Sequence, residues 1–321
     1  MSSAIITFTP LHTELGLIHA YGVDVEKFLQ GQFSNDLHAL ASGHGQWSSY
    51  STAKGRMIAN FYVQRDGEAF WLSLAADMAD IIIERLRKFR MMAKLEIERG
   101  EPESALFAVS GRGAGDLLGH ALGIAAPETG NSGVVCDDMI ITRLPWADAE
   151  AFLIILPASR VEVVSAKLAA AGAWAGSAED WRLQAIHAGV GMISGATTEK
   201  VIPQELNLEV LGGINFKKGC YPGQEIVARS HYLGKLKNQT YRIASQAPLR
   251  AGEEIFSARM GEQSIGMVIN AAPDPQGGFA ALAVLRAANV GDALMAGAPN
   301  GTPLGLEKLP YPLPLDVARE G

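Results

Sequence analysis

Cysteine is scarce in this chain of 321 residues: only Cys136 and Cys220 occur, without a C-x-x-C pair or a Cys/His cluster. Two isolated thiols cannot supply the four ligands of a structural zinc or iron–sulfur centre, so no metal ligand set is expected. A disulfide between the two stays open on sequence alone, and a reducing compartment is the simpler expectation. Cys136 follows Val134-Val135 and is expected to be a small buried residue. The seven histidines are scattered, none in an H-E-x-x-H pair, so His187 and His231 read as polar structural residues. Long apolar runs are missing too. Nothing approaches the roughly 18 residues of a membrane span, and Met1–Thr7 lacks a charged segment leading into an apolar one. The expectation is a soluble cytoplasmic protein with no membrane partner. A G-x-S-x-G serine elbow and a Walker-type phosphate loop are absent. Gly111-Arg112-Gly113-Ala114-Gly115 fails as a dinucleotide fingerprint because Asp116 stands where the third glycine should be. Positive charge is in deficit, 27 Lys and Arg against 34 Asp and Glu, a net charge of −7. That balance argues against broad nucleic-acid binding, and no direct nucleic-acid partner is expected.

What is present suits a folded chain with a sizeable core: 48% of residues are hydrophobic and 19% charged. Leu15–Ala20 reads as a buried strand, and Asp24 as the N-cap of a helix through Val25, Phe28, Leu29 and Gln32. Met57–Gln64 and Ala69–Leu74 form strands joined through Asp66-Gly67, a hairpin signal. Asp77 opens a helix with Met78, Ile82, Leu86 and Phe89 inward. A second round follows with strands at Leu106–Val109, Met139–Leu144 and Phe152–Leu156 and helices at Gly113–Leu122 and Arg160–Ala171. Ser177-Ala178-Glu179-Asp180 resembles a capping box leading into a helix through Trp181, Leu183 and Ile186. The alternation lacks a regular βαβα period, so the fold class is α+β. From about Thr240 the strands become short and separated by Gly and Pro, which suits a small barrel or sandwich.

The densest chemistry sits in Lys217-Lys218-Gly219-Cys220-Tyr221-Pro222-Gly223-Gln224-Glu225. Gly219 and Pro222-Gly223 permit a tight turn before a helix start. Lysines and a helix N-terminus beside a cysteine favour the reactive thiolate. The plainer alternative is a small residue beside a surface turn. From Gly213 to Arg242 there are six cations (Lys217, Lys218, Arg229, Lys235, Lys237 and Arg242) against one acid, Glu225. Such a stretch suits an anionic ligand, and equally a solvated face.

Lys218-Gly219-Cys220-Tyr221-Pro222-Gly223-Gln224-Glu225 resembles the K-G-C-Y-x-G-Q-E signature of the YgfZ-type folate-binding proteins, relatives of the glycine-cleavage T-protein, an aminomethyltransferase. Supporting pieces follow in order: Gly22-Val23-Asp24 with Phe28–Gln32, Ala53-Lys54-Gly55-Arg56, Ile202-Pro203-Gln204-Glu205 and Gly212-Gly213-Ile214. The resemblance implies two interwoven ferredoxin-like α+β sub-domains in residues 1–238 and a β-barrel in 239–321. It implies tetrahydrofolate, with a glutamate or polyglutamate tail, as cofactor. It makes Trp181 an aromatic contact of the folate and Cys220 the functional thiol, with Lys218 holding the thiolate, Tyr221, Gln224 and Glu225 shaping the loop, and Gly219 and Gly223 completing the motif. A second aromatic contact of the family falls near Leu15, which cannot stack.

The family implies an accessory factor for iron–sulfur cluster assembly or repair in client enzymes, and through them tRNA modification. Its partners would be folate and iron–sulfur client or assembly proteins. In the aminomethyltransferases paired acids handle the substrate amine; here the matching stretch reads Ala59-Asn60. Neither side chain takes a proton. T-protein chemistry is therefore not expected. A folate-dependent one-carbon (aminomethyl- or methyl-) transferase using another acid is the alternative, and direct tRNA binding through Lys217–Arg242 a third reading.

Overall fold

The computed structural model describes residues 5–313 apart from 148 and 235. The chain opens with β1 (Thr7–Pro10), β2 (Leu15–Tyr21), α1 (Val25–Gln30), β3 (Gly45–Ser51), β4 (Met57–Asp66), β5 (Ala69–Ala75), α2 (Ala79–Phe89) and β6 (Glu96–Arg99). It continues with β7 (Ser104–Ser110), α3 (Ala114–Leu122), β8 (Gly133–Cys136), β9 (Met139–Arg143), β10 (Ala151–Pro157), α4 (Val161–Ala170), β11 (Trp174–Ala175), α5 (Ala178–His187) and α6 (Gln224–Leu233). The last strands are β12 (Asn238–Ser245), β13 (Glu254–Ser257), β14 (Ser264–Pro273), β15 (Phe279–Arg286), β16 (Leu294–Ala296) and β17 (Thr302–Glu307).

Two open sheets and a barrel result. One sheet runs β3-β4-β5-β2-β6 and the other β11-β1-β7-β10-β9-β8. The chain interweaves them, because β1 precedes every strand of the first sheet yet pairs antiparallel with β7 of the second. Strands β12 to β17 close a barrel in the order β12-β15-β14-β13-β16-β17, the ends joined by Arg242 opposite Glu307. The fold is α+β with a C-terminal six-stranded barrel. No helix among the described residues is long and apolar enough to cross a membrane.

The chain divides into two compact units, one holding residues up to Ser48 together with Phe61–Trp181, the other Ser49–Asn60 together with Arg182 onward. In the first, α3 and α4 cover the β7–β10 sheet around Phe107, Leu118, Ile141, Phe152, Ile154 and Leu168. In the second, alternate barrel residues point inward, so Ile243, Ile255, Val268, Ala283 and Leu285 fill the barrel. A bulge in β14 leaves Ile269 without a register partner between Val268 and Asn270, and the Asn270 side-chain amide holds both the N–H (2.7 Å) and the carbonyl (3.1 Å) of Met192.

Three local expectations change. Asp24 occupies the N-cap position of α1 but caps nothing: its carboxylate accepts the Lys94 N–H at 2.7 Å, a donor brought by distant chain. Phe89 lies on the same stripe as the buried Ile82 and Leu86, yet it is exposed, because α2 outruns the surface it packs on. Cys136 is half-buried rather than buried, since β8 is the edge strand of its sheet. The Gly111–Gly115 stretch does lead from strand to helix, but the Glu150 carboxylate accepts the Gly115 N–H at 2.9 Å. An acid already occupies the place a phosphate would need.

Candidate functional site

The cysteine loop begins with an Asx turn. Asn215 Oδ1 accepts the N–H groups of Lys217 (2.8 Å) and Lys218 (3.1 Å), which turns the chain back on itself. Lys218 is buried although charged, and its ammonium sits 5.1 Å from the centroid of the Tyr221 ring. The ring face offers negative charge density to that cation. Burial also pushes the Tyr221 phenol up to about 12, so it is neutral at ordinary pH. Cys220, between these two anchored residues, is exposed and forms no disulfide. Gln224 and Glu225 form the first turn of α6, Gln224 partly covered and Glu225 in solvent.

Gly223 does what only glycine can do there. It caps α6 in the left-handed region (φ 80°), and a Cβ would lie 2.5 Å from the Thr52 carbonyl oxygen and 2.7 Å from Gly55 Cα. Gly55 in turn has φ 72°, and a Cβ on it would lie 2.8 Å from Ile226 Cβ. The Ala53-Lys54-Gly55-Arg56 hairpin and the start of α6 thus meet backbone to backbone. Gly219 differs from the expectation: a side chain there would meet nothing within 4 Å, so it is not needed to make the turn.

Ile202-Pro203-Gln204-Glu205 joins the same assembly. Gln204 Nε2 donates to the Val227 carbonyl in α6 at 2.6 Å. Glu205 accepts the Ile202 N–H at 2.9 Å and the Asn238 amide at 2.8 Å, with Arg56 3.6 Å away. Arg56 also donates to the Lys200 carbonyl at 2.7 Å. Three sequence motifs far apart in the chain are therefore one packed unit around α6. Beside Glu205 opens a cavity of about 410 Å³ lined in part by Lys200, Asn238, Glu254 and Arg286, suited to a polar, charged group.

Ala59 and Asn60 are fully buried in the second compact unit. Asn60 Nδ2 donates to the Gly191 carbonyl and its Oδ1 accepts the Ile193 N–H, both at 2.8 Å. With Asn270 on Met192, two amides pair the irregular backbone of residues 191–193 as a strand ladder would. The Asn60 amide is a structural clamp, and a carboxylate could not supply its donor.

Trp181 lies in the first compact unit, in the first turn of α5. The expected capping box is present: the Ser177 N–H donates to Asp180 Oδ2 at 2.7 Å and the Asp180 N–H to Ser177 Oγ at 3.1 Å. The Trp181 ring is buried against Trp146, centroids 4.8 Å apart and planes at 28°. Trp146 Nε1 is buried and has no hydrogen-bond partner among the described residues.

No protein-family model matches the chain. Curated proteins do. The tRNA-modifying protein YgfZ of Photorhabdus laumondii subsp. laumondii is 32% identical over 233 residues, 72% of this chain and 69% of that protein. The tRNA-modifying protein YgfZ of Escherichia coli strain K12 is 30% identical over 298 residues, 91% of this chain and 89% of that protein. The chain belongs to the YgfZ family. Among solved structures, the glycine cleavage system aminomethyltransferase T from Bartonella henselae superposes with a TM-score of 0.74 at 20% identity. That match covers 96% of this chain and 86% of the other, and establishes a shared T-protein fold.

In this YgfZ-family chain the cysteine motif, the Lys-Gly-Arg hairpin and the Ile-Pro-Gln-Glu segment come together. The cationic stretch does not form one face. Lys218 is buried, Arg242 pairs with Glu307 at 2.8 Å and donates to the His187 carbonyl, and Lys235 lies outside the described residues. His231 stacks on Phe216 at 4.0 Å and sets Nδ1 2.7 Å from Glu209. His187 stands 3.8 Å from Asp274, and burial, with Arg242 nearby, lowers its pKa. No group of three or more His, Cys, Asp or Glu residues suited to a metal ion occurs among the described residues. Trp146 escaped the sequence reading. Its only signal was Leu144-Pro145-Trp146, an aromatic just past a strand end, and nothing local announces its partner.

Proposed function

We propose that this protein is a folate-binding accessory factor that supports iron–sulfur cluster assembly or repair in client enzymes, and through them tRNA modification. Cys220 is its functional thiol, meeting a client's cluster or sulfur from a cytoplasmic protein. The observation that carries the reading is the construction of the loop. An exposed thiol stands between a buried Lys218–Tyr221 pair and a helix start seated on Gly55. A turn of purely structural purpose has no need to hold a cysteine in solvent on so rigid a base.

For folate, the donor set fits. Trp181 and Trp146 form a buried stacked pair, and the orphaned Trp146 Nε1–H is a buried donor without an acceptor among the described residues. Trp181 and Trp146 would hold the heteroaromatic rings, and the cofactor would supply one-carbon chemistry. Calorimetry with tetrahydrofolate should show weaker binding by Trp181→Ala; equal affinity removes Trp181 from the site.

The deciding experiment is Cys220→Ala in cells lacking the wild-type protein. Client iron–sulfur enzyme activity should fall while the purified variant keeps its melting temperature and folate affinity. Unchanged client activity would refute the role of Cys220.

The T-protein fold favours one rival, a folate-dependent one-carbon transferase. Product formed from tetrahydrofolate and any amine donor would establish it. Asn60, both of whose polar ends are engaged by backbone, argues against the T-protein route.

A further inference from the structure

The connector after α2 ends in an exposed apolar tip. Met91 is 88% exposed, Met92 94% and Phe89 57%. Met91 adopts φ 46°, a left-handed conformation costly for a residue with a Cβ, at the apex of the turn. Isolated exposed apolar residues need no explanation, but three in one turn, Phe89, Met91 and Met92, do.

Charge marks the same place. From Arg85 to Leu95 there are five cations and no acid, within a chain of net charge −7. Arg90 is spent on Glu96 at 2.9 Å. Arg87, Lys88 and Lys94 are exposed and have no ion-pair partner among the described residues.

We infer that this tip docks on an anionic lipid surface, with Phe89, Met91 and Met92 entering the headgroup–acyl boundary and Arg87, Lys88 and Lys94 meeting lipid phosphates. An apolar apex with cations set behind it matches the layering of such a surface. A nucleic acid fits less well, since Phe89 is the one ring among Phe89, Met91 and Met92 on which a base could stack. The two acids at the tip are engaged, Asp24 by the Lys94 N–H and Glu96 by Arg90, and exposed charges beyond about 8 Å are screened at physiological salt. Peripheral docking is compatible with the absence of a membrane span, on which the expectation of no membrane partner rested.

Sedimentation of the full chain with phosphatidylglycerol–phosphatidylethanolamine vesicles, and with pure phosphatidylcholine vesicles, tests this. Binding should be confined to the anionic vesicles and weaken with added salt. Arg87→Gln, Lys88→Gln and Lys94→Gln should each lower the partition constant about fivefold. The triple variant Phe89→Ser, Met91→Ser, Met92→Ser should abolish binding with an unchanged melting temperature, because these side chains are exposed in the fold. No binding, equal binding to both vesicle types, or full binding by the triple variant overturns the inference. So does a tRNA gel shift lost with the same substitutions in a protein that ignores vesicles.

Discussion

Replacing Asn60 by aspartate would put an acid at the end of the Arg56–Asn60 stretch, and the structure forecasts a loss of stability rather than a gain of chemistry. The wild-type amide donates to the Gly191 carbonyl and accepts from the Ile193 N–H, both at 2.8 Å and fully buried. Aspartate keeps the acceptor and turns its second oxygen toward a carbonyl oxygen. Leaving buried polar groups unpaired costs about 1–3 kcal/mol, and more when one is charged, so a loss of roughly 2–4 kcal/mol is expected near neutral pH. For a unit of this size that lowers the melting temperature by roughly 5–15 °C. The pH dependence follows from the protonated form, which can donate to Gly191 as the amide does. Burial and the carbonyl raise the folded-state pKa of the new carboxyl above its unfolded value of about 3.9. The stability of the variant relative to wild type is therefore best below that value, and is lost as pH rises through the raised folded-state pKa. Thermal melts of both proteins across acidic to neutral pH should show the deficit widening with pH. A deficit independent of pH, or a variant as stable as wild type at neutrality, would refute the clamp. Assayed with tetrahydrofolate and amine donors, the variant should gain no transferase activity.

Two further outcomes are expected. Gly223→Ala combines a left-handed backbone with a Cβ 2.5 Å from the Thr52 oxygen, and should cost about 2–4 kcal/mol and speed proteolysis within residues 216–226; an unaltered digestion pattern would count against the contact with Gly55. Tyr311 donates to the Gly189 carbonyl at 2.6 Å, and burial holds its phenol up to about 12. Its stabilisation is complete below the unfolded value of about 10 and is lost as pH rises through the folded one. Tyr311→Phe should flatten alkaline unfolding over that interval, and an identical alkaline limb in both proteins would count against the assignment.

Much of this architecture was legible in the residues. The Asp66-Gly67 hairpin, the Ser177–Asp180 capping box and the short strands past Thr240 are local signals, and each formed where its chemistry pointed. The cysteine motif was legible as a unit, but its support was not, because Gly55 and Gly223 meet only through tertiary packing. Longer-range facts left no local trace. Nothing in Thr7–Pro10 announces that β1 joins a sheet whose next strand lies about a hundred residues on. Asp24 read as a cap and became a tether for Lys94 because a distant N–H competed for its carboxylate. The 191–193 segment has no hydrophobic period, so the two asparagines that pair its backbone were invisible as partners. Trp146 and Trp181 likewise became a pair only in space.

The glycine-to-glycine seat beneath the thiol loop also bears on inheritance and engineering. The hairpin at Gly55 and the helix start at Gly223 are separated by about half of the chain, yet neither tolerates a side chain facing the other. The loop is thus not a portable cassette: grafting Lys218–Glu225 onto another scaffold would carry the thiol but leave behind the anvil on which its turn is formed. A functional transplant would need both segments, and drift in one should be visible as compensating change in the other.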